Sequence, residues 1–209
     1  MDTDKIQNII FDLGGVIVNI EPKLTAEAFA DLSGTDPVDI MELHQSANFF
    51  TAYEKGLITD AVFRREVCNF LKRDIPDQTI DVAWGALLQE IPPQKIDMIT
   101  AAHKNYRTFL LSNTNNIHRI KFCRTFQDLT GRRLEEYFEK VYYSFEMGKR
   151  KPDEGIFLQV LQDNDLDPGE TLLVDDSLPN IQTAISLGMK TLHVERNQEK
   201  IDLNTNGRN

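Results

Sequence analysis

Residues 9–15 read Ile9-Ile10-Phe11-Asp12-Leu13-Gly14-Gly15. Three apolar residues without polar alternation, followed by an acid and two glycines, describe a strand covered on both faces that ends in a tight polar turn. The pattern recurs along the chain. Phe109-Leu110-Leu111 runs into Ser112-Asn113-Thr114-Asn115, and Thr171-Leu172-Leu173-Val174 runs into Asp175-Asp176-Ser177. Val141-Tyr142-Tyr143 is followed by Ser144 and then by Gly148-Lys149-Arg150-Lys151-Pro152. A fifth run, Thr191-Leu192-His193-Val194, comes after the turn residue Gly188. Helical spacing fills the intervals. Pro92-Pro93 opens a helix through Ile96, Ile99 and Ala102, Asp153 stands at an N-cap before Ile156, Phe157, Val160 and Leu161, and Ile181, Ala184 and Ile185 lead to a stop at Gly188. Strands alternating with helices predict an α/β fold with a Rossmann-like, mainly parallel sheet flanked by helices.

Residues 19–91 break this alternation. Apolar positions there recur at helical spacing over 23–32, 37–45, 60–73 and 78–89, with Thr59 and Asp77 placed as caps and Gly34, Gly56 and Pro76 as punctuation. The reading is a core domain made of residues 1–18 and 92–209, with an inserted helical domain over 19–91. Residues 196–209 are polar and Asn-rich and are expected to fray.

The 209 residues, 41% of them hydrophobic and 27% charged, suffice to bury a sizeable core. The formal charge of -10 repels nucleic acid and anionic membrane, so neither is expected as a partner. The same field opposes a phosphate ester, so a phosphate site in this chain needs its own cations. Cys68 and Cys123 have no paired spacing, which argues against a disulfide framework and a cysteine zinc site. Residues 1–5 do not lead from a basic stretch into an apolar one, and no run of 18 apolar residues occurs. A cytoplasmic protein is expected, monomer or homodimer.

In a parallel sheet the segments that follow the strands emerge together at its carboxyl edge, where open α/β sheets bind ligands. Taken singly, each is an ordinary turn or helix cap. Jointly they bring Asp12, Asp175, Asp176, Ser112, Asn113 and Lys151 to one crevice, and two adjacent acids there call for a cation. Asp12, ionised at neutral pH at an ordinary carboxylate pKa, needs no base to act as a nucleophile. A hard divalent cation held by carboxylate and carbonyl oxygens, with Asp12, Asp176, Asp175 and the Gly14 carbonyl as candidates, relieves its repulsion from a phosphoryl group. Ser112, the backbone N–H groups of the turn at Leu13 and Gly14, Asn113 and the Lys151 ammonium are candidates to hold the phosphoryl oxygens. An aspartyl-phosphate intermediate divides one hard displacement into two.

These residues resemble the four motifs of the haloacid dehalogenase-like hydrolases, a superfamily consisting mostly of phosphatases. Phe-Asp12-Leu-Gly-Gly-Val is similar to the first motif, Leu-Leu-Ser112-Asn to the second, Lys151-Pro-Asp to the third and Val-Asp175-Asp176-Ser to the fourth. Their order and separations match over nearly the whole chain, and the insertion falls where members with a four-helix cap carry it. The resemblance is nearest to small sugar-phosphate phosphatases with an Asp-Leu-Gly-x-Val first motif. It implies Asp12 as nucleophile, Ser112 and Lys151 as phosphate ligands and Asp176 as a direct Mg²⁺ ligand. Asp175 would act through a bridging water or by orienting Lys151.

One position departs from the pattern. Most phosphatases of the superfamily carry a second Asp two residues after the nucleophile as general acid and base, and Gly14 stands there instead. Loss of such a group costs roughly 10²–10⁴ in rate. A metal-independent 2-haloacid dehalogenase, which also uses a lone Asp, and a non-catalytic phosphate-binding regulator are the competing readings. The acidic pair weighs against the first, and Gly14 keeps the second open. Substrate choice falls to the cap, where Tyr53-Glu54-Lys55-Gly56 is either a site-facing turn or a plain exposed one, and His44 and Arg64 are weaker candidates. The stretches near Asn19 and Ile91 are the expected hinges for cap closure. The four histidines lack metal-ligand spacing, and His193 reads as packed or surface-satisfied.

Overall fold

A computed structural model describes residues 6–203, with the side chains of residues 42–46 excepted. The readings made for residues 1–5, for residues 204–209 and for the His44 side chain lie outside the described residues. Five strands form one sheet: β1 (Asn8–Phe11), β2 (Arg107–Ser112), β3 (Lys140–Tyr143), β4 (Thr171–Asp175) and β5 (Lys190–His193). All neighbours pair in parallel, in the order β3-β2-β1-β4-β5. The chain lays down β1, β2 and β3 in one direction and then crosses back to set β4 on the other side of β1. The topological switch therefore lies between β1 and β4.

Alternation of side chains along the buried strands makes two cores. Ile9, Phe11, Leu110, Leu172 and Val174 face one side, packed with Ile99 of α6 (Pro93–Asn105) and Phe122 and Phe126 of α7 (Asn116–Thr130). Ile10, Phe109, Leu111 and Leu173 face the other, against Ile156, Phe157 and Val160 of α9 (Glu154–Asp163) and Ile181 and Ala184 of α10 (Leu178–Ser186). A single turn of helix, α8 (Ser144–Met147), follows β3. Both faces are covered, which is why these strands read as continuous apolar runs.

Residues 22–87 form a third cluster, built by α1 (Pro22–Ser33), α2 (Pro37–Ser46), α3 (Asn48–Glu54), α4 (Asp60–Leu71), α5 (Asp77–Trp84) and a 3₁₀ turn at Gly85–Leu87. Trp84 stacks with Phe29 and Phe50 at its centre, and Phe63 meets Phe50 edge-on and Trp84 at a tilt. The segments that enter and leave this unit run side by side. Asn19 N–H donates to the Glu90 carbonyl at 3.0 Å, Gln89 N–H donates to the Asn19 carbonyl at 2.9 Å, and Ile20 bridges Leu88 in antiparallel fashion.

Several sequence expectations need correction. Five α-helices, not four, occupy the insertion. α3 was missed because it has no side-chain cap at Ala47 and is held instead by the burial of Phe50 and Tyr53 in the aromatic cluster. The helix expected over 78–89 stops at Trp84, and Pro76 rather than Asp77 takes the N-cap position. Thr59 does cap α4, its hydroxyl accepting from Val62 N–H. β5 starts at Lys190, one residue earlier than expected, and Val194 lies beyond it. Residues 196–203 do not fray, since Ile201 and Leu203 pack on the core and Asn197 binds the Ile20 backbone through both ends of its amide. Both cysteines are free thiols, and no helix among the described residues is long and apolar enough to cross a membrane.

Candidate active site

Register sets the geometry. Phe11 pairs with Leu110 on one side and Val174 on the other, so Asp12 lies level with Leu111 and Asp175, at the carboxyl edge of the switch point. Asp12 N–H donates to the Val174 carbonyl at 2.9 Å, which fixes the backbone from which its carboxylate projects. Lys151, only 1% exposed, places its Nζ 2.9 Å from Asp12 Oδ1 and 2.7 Å from Asp175 Oδ2. Asp175 is sealed from solvent. Its Oδ1 accepts from Ser177 N–H and Asn180 Nδ2, each at 2.9 Å, so the carboxylate is largely occupied in holding Lys151 and the start of α10. Oxygens of Asp12, Asp175 and Asp176 all lie within 4.8 Å of one another.

Burial pushes the Asp12 carboxyl up to about 7, against the pull of Lys151 and with the added push of Asp175 and Asp176. Burial pulls the Lys151 ammonium down, but Asp12 and Asp175 together hold it above its ordinary value. Asp176 Oδ2 accepts from Arg196 Nε at 2.8 Å. Three carboxylates thus meet two cations, and an incoming phosphoryl group adds further negative charge. The donor set is all oxygen and carries excess charge, which fits a hard dication such as Mg²⁺. Asp12 and Asp176 are the better placed to hold it, because Asp175 is saturated.

The remaining expected residues gather around this cluster. Leu13 and Gly14 form the turn after β1, closed by Ile17 and Val18 N–H groups donating to the Leu13 carbonyl at 2.8 Å. Gly15 follows at φ +82°, and a Cβ there would stand 2.6 Å from Asp176 Oδ2, so only glycine admits that carboxylate. Leu13, Gly14, Ser112 and Asn113 line one cavity of about 320 Å³ whose far walls are Phe29, Trp84 and Leu88. The Asn113 side chain is spent on the Lys151 backbone, donating to its carbonyl and accepting from its N–H, both at 2.8 Å. Its amide therefore orients Lys151.

The turn after α3 docks on the core. Ser144 Oγ donates to the Glu54 carbonyl at 2.7 Å, Lys55 pairs with Asp153 at 3.2 Å, and Glu54 Oε2 lies 3.1 Å from Arg150. Glu54 also lines the cavity, so this turn faces the site. Arg64 does not, being held by Asp81 at 2.8 Å inside the helical unit. His193 is satisfied at the surface, its Nε2 3.2 Å from the Asp176 carbonyl. Sequence reasoning missed Arg196, Asn180 and Lys95. Lys95 is buried and donates to Asn19 Oδ1 at 2.7 Å beside the entry and exit segments. Only Asn180 left a sequence signal, one helical turn beyond Asp176.

The family profile of haloacid dehalogenase-like hydrolases matches residues 6–188. The chain belongs to this family. The D-ribitol-5-phosphate phosphatase of Bacteroides thetaiotaomicron is 32% identical over 190 residues, covering 91% of this chain and 92% of its own. A solved haloacid dehalogenase family enzyme from the same organism, in complex with magnesium and inorganic phosphate, superposes with a TM-score of 0.87 at 35% identity, covering 97% of this chain and 100% of that one. A family hydrolase from Porphyromonas gingivalis gives 0.84 at 34% identity, over 92% and 93% of the two chains. This haloacid dehalogenase-like hydrolase thus shares the fold of its relatives over nearly its full length.

Proposed function

We propose that this hydrolase is a Mg²⁺-dependent phosphatase of small phosphate monoesters, with sugar phosphates the first substrates to try. Asp12 is the nucleophile. The observation that carries the reading is the Asp12–Lys151–Asp175 chain of contacts, with Asp176 alongside, at the switch point of the sheet. Relatives named as a sugar-alcohol phosphate phosphatase and as a magnesium–phosphate complex support it. A lone-Asp dehalogenase needs no cation and gives no reason for three clustered carboxylates.

Lys151 holds a phosphoryl oxygen while staying paired with Asp175, and Ser112 with the backbone N–H groups of Leu13, Gly14 and Asn113 receives the other oxygens. Asp175 keeps Lys151 in place, with its backbone pinned by Asn113. Asp12 and Asp176, with the Gly14 carbonyl as a further ligand, would hold Mg²⁺, which would supply positive charge between nucleophile and phosphoryl group. Asp12 attacks phosphorus as the ester oxygen leaves with the alcohol, and water then attacks the aspartyl phosphate, freeing inorganic phosphate and the Asp12 carboxylate. Residues 19–91 serve as the cap and residues 1–18 and 92–209 as the core, with Asn19 and Glu90 at the crossing. The acidic surface and the two free thiols suit a reducing, cytoplasmic setting, without nucleic acid or membrane as partner.

The test is phosphate release from a panel of phosphate monoesters with Mg²⁺, with EDTA, and with Asp12→Asn. Metal-dependent release that falls at least about 10³-fold in the variant is expected, since removing a covalent nucleophile leaves only binding effects. Equal release by wild type and variant removes the reading.

A further inference from the structure

We infer that Glu54 does the acid–base work that Gly14 cannot, giving a proton to the leaving oxygen of the ester and later taking one from the attacking water. The inference rests on the phosphatase reading and goes beyond it by naming a catalytic residue contributed by the inserted helices.

The cavity that touches Leu13, Gly14, Ser112 and Asn113 is otherwise apolar on its far side, and among the described residues lining it Glu54 is the one acid. The other titratable group there is His118, whose two nitrogens are committed. Nε2 sits 3.0 Å from the Trp84 carbonyl and Nδ1 3.1 Å from Asn115 Nδ2, so it has no proton to offer substrate. Glu54 is held firmly. Ser144 Oγ, which donates to its carbonyl, also accepts from Thr114 N–H at 2.9 Å, two residues after Ser112. On the other side of the turn, Gly56 at φ +65° rests so close to the Phe145 carbonyl that a Cβ would fall 2.0 Å from its oxygen. The Glu54 backbone is therefore fixed against the core at the wall of the cavity.

Its surroundings suit both halves of a proton shuttle. Burial holds Glu54 above the usual carboxylate range, which favours the protonated acid before bond cleavage. Arg150, 3.1 Å from Oε2, opposes that push and stabilises the carboxylate left after donation. Arg150 Nε is shut off from solvent without a hydrogen-bond partner. In the first step an Asp12 oxygen bonds to phosphorus, the bond from phosphorus to the ester oxygen breaks, and that oxygen takes the Glu54 proton. In the second, water oxygen bonds to phosphorus, the Asp12 carboxylate leaves with its electron pair, and the water proton returns to Glu54.

The experiment compares an alkyl phosphate with 4-nitrophenyl phosphate in wild type and Glu54→Gln. The alkyl leaving group needs a proton and the nitrophenolate does not. For the alkyl ester kcat/KM falls about 10²–10⁴-fold in the variant. For the aryl ester the first step survives within about tenfold. One equivalent of nitrophenolate then appears as a burst, followed by slow turnover because water is no longer activated. Mg²⁺ affinity measured by calorimetry stays unchanged in Glu54→Gln, which certifies the fold. Alkyl turnover within about threefold of wild type, or equal losses on both esters without a burst, would each overturn the role of Glu54. A wild type that releases no phosphate from either ester overturns the phosphatase reading and this inference together.

Discussion

Lys151 and Asp175 are each almost wholly removed from water, and the Lys151 ammonium is shared between Asp175 and Asp12. Replacing Lys151 with Met leaves the buried Asp175 carboxyl without its cation. Such a change costs about 3–5 kcal/mol, because an uncompensated buried charge is worse than no charge. Urea unfolding of Lys151→Met checks the figure, and the same variant loses phosphate release. Asp12, Ser112, Asp175 and Asp176 were legible in the sequence because each stands at the end of an apolar run, and Lys151 because it follows the third run in a basic loop, which the Asn113 side chain then pins at the same sheet edge. The turn that carries Glu54 was readable only as either site-facing or plainly exposed, and Arg196 was not readable at all. Their place depends on where a helix end and a tail settle after folding, and no local pattern encodes a partner 96 residues away from Glu54 or 20 from Arg196.

At the level of elements, the turn that closes α3 is tightly constrained at Gly56. Ala at position 56 meets both a positive φ and the Phe145 carbonyl. Gly56→Ala is expected to destabilise by about 1 kcal/mol or more, from the left-handed backbone alone, and to pull Glu54 from its seat. Thermal unfolding together with kcat/KM on an alkyl phosphate measures both effects. A loss of stability with unchanged turnover would show that the turn does not position the acid. The strands and the helices that cover them were readable because burial on two faces leaves an uninterrupted apolar run. α3 was not, since its aromatic residues have weak helix preference and only the cluster around Trp84 makes a helix of them.

Across the whole molecule, the helical unit and the sheet share a buried joint at the first turn of α7. Ile117 belongs to the aromatic cluster, and the His118 ring stacks on Trp84 at 4.8 Å and 16°. Burial pushes His118 down from 6.5 to about 4, with Lys121 adding to the push and the Trp84 carbonyl opposing it. Between those two values the unfolded chain takes up a proton and the folded chain does not. Stability is therefore complete above pH 6.5 and is lost on acidification toward pH 4, by on the order of 3 kcal/mol from this group. His118→Gln should flatten that part of the stability–pH curve relative to wild type, and denaturant titrations at pH 7, 5.5 and 4.5 measure the difference.

The crossing at Asn19 and Glu90 bears on descent as well as on motion. The polypeptide departs from the sheet and comes back through a single narrow doorway, stitched on one side by Glu90 and Lys95 and on the other by Asn197. A module whose two ends sit within one hydrogen bond of each other can be enlarged, exchanged or pared away without moving the residues that handle phosphorus. New selectivity can thus be acquired as a plug-in part, while the chemical engine beneath it stays as it was.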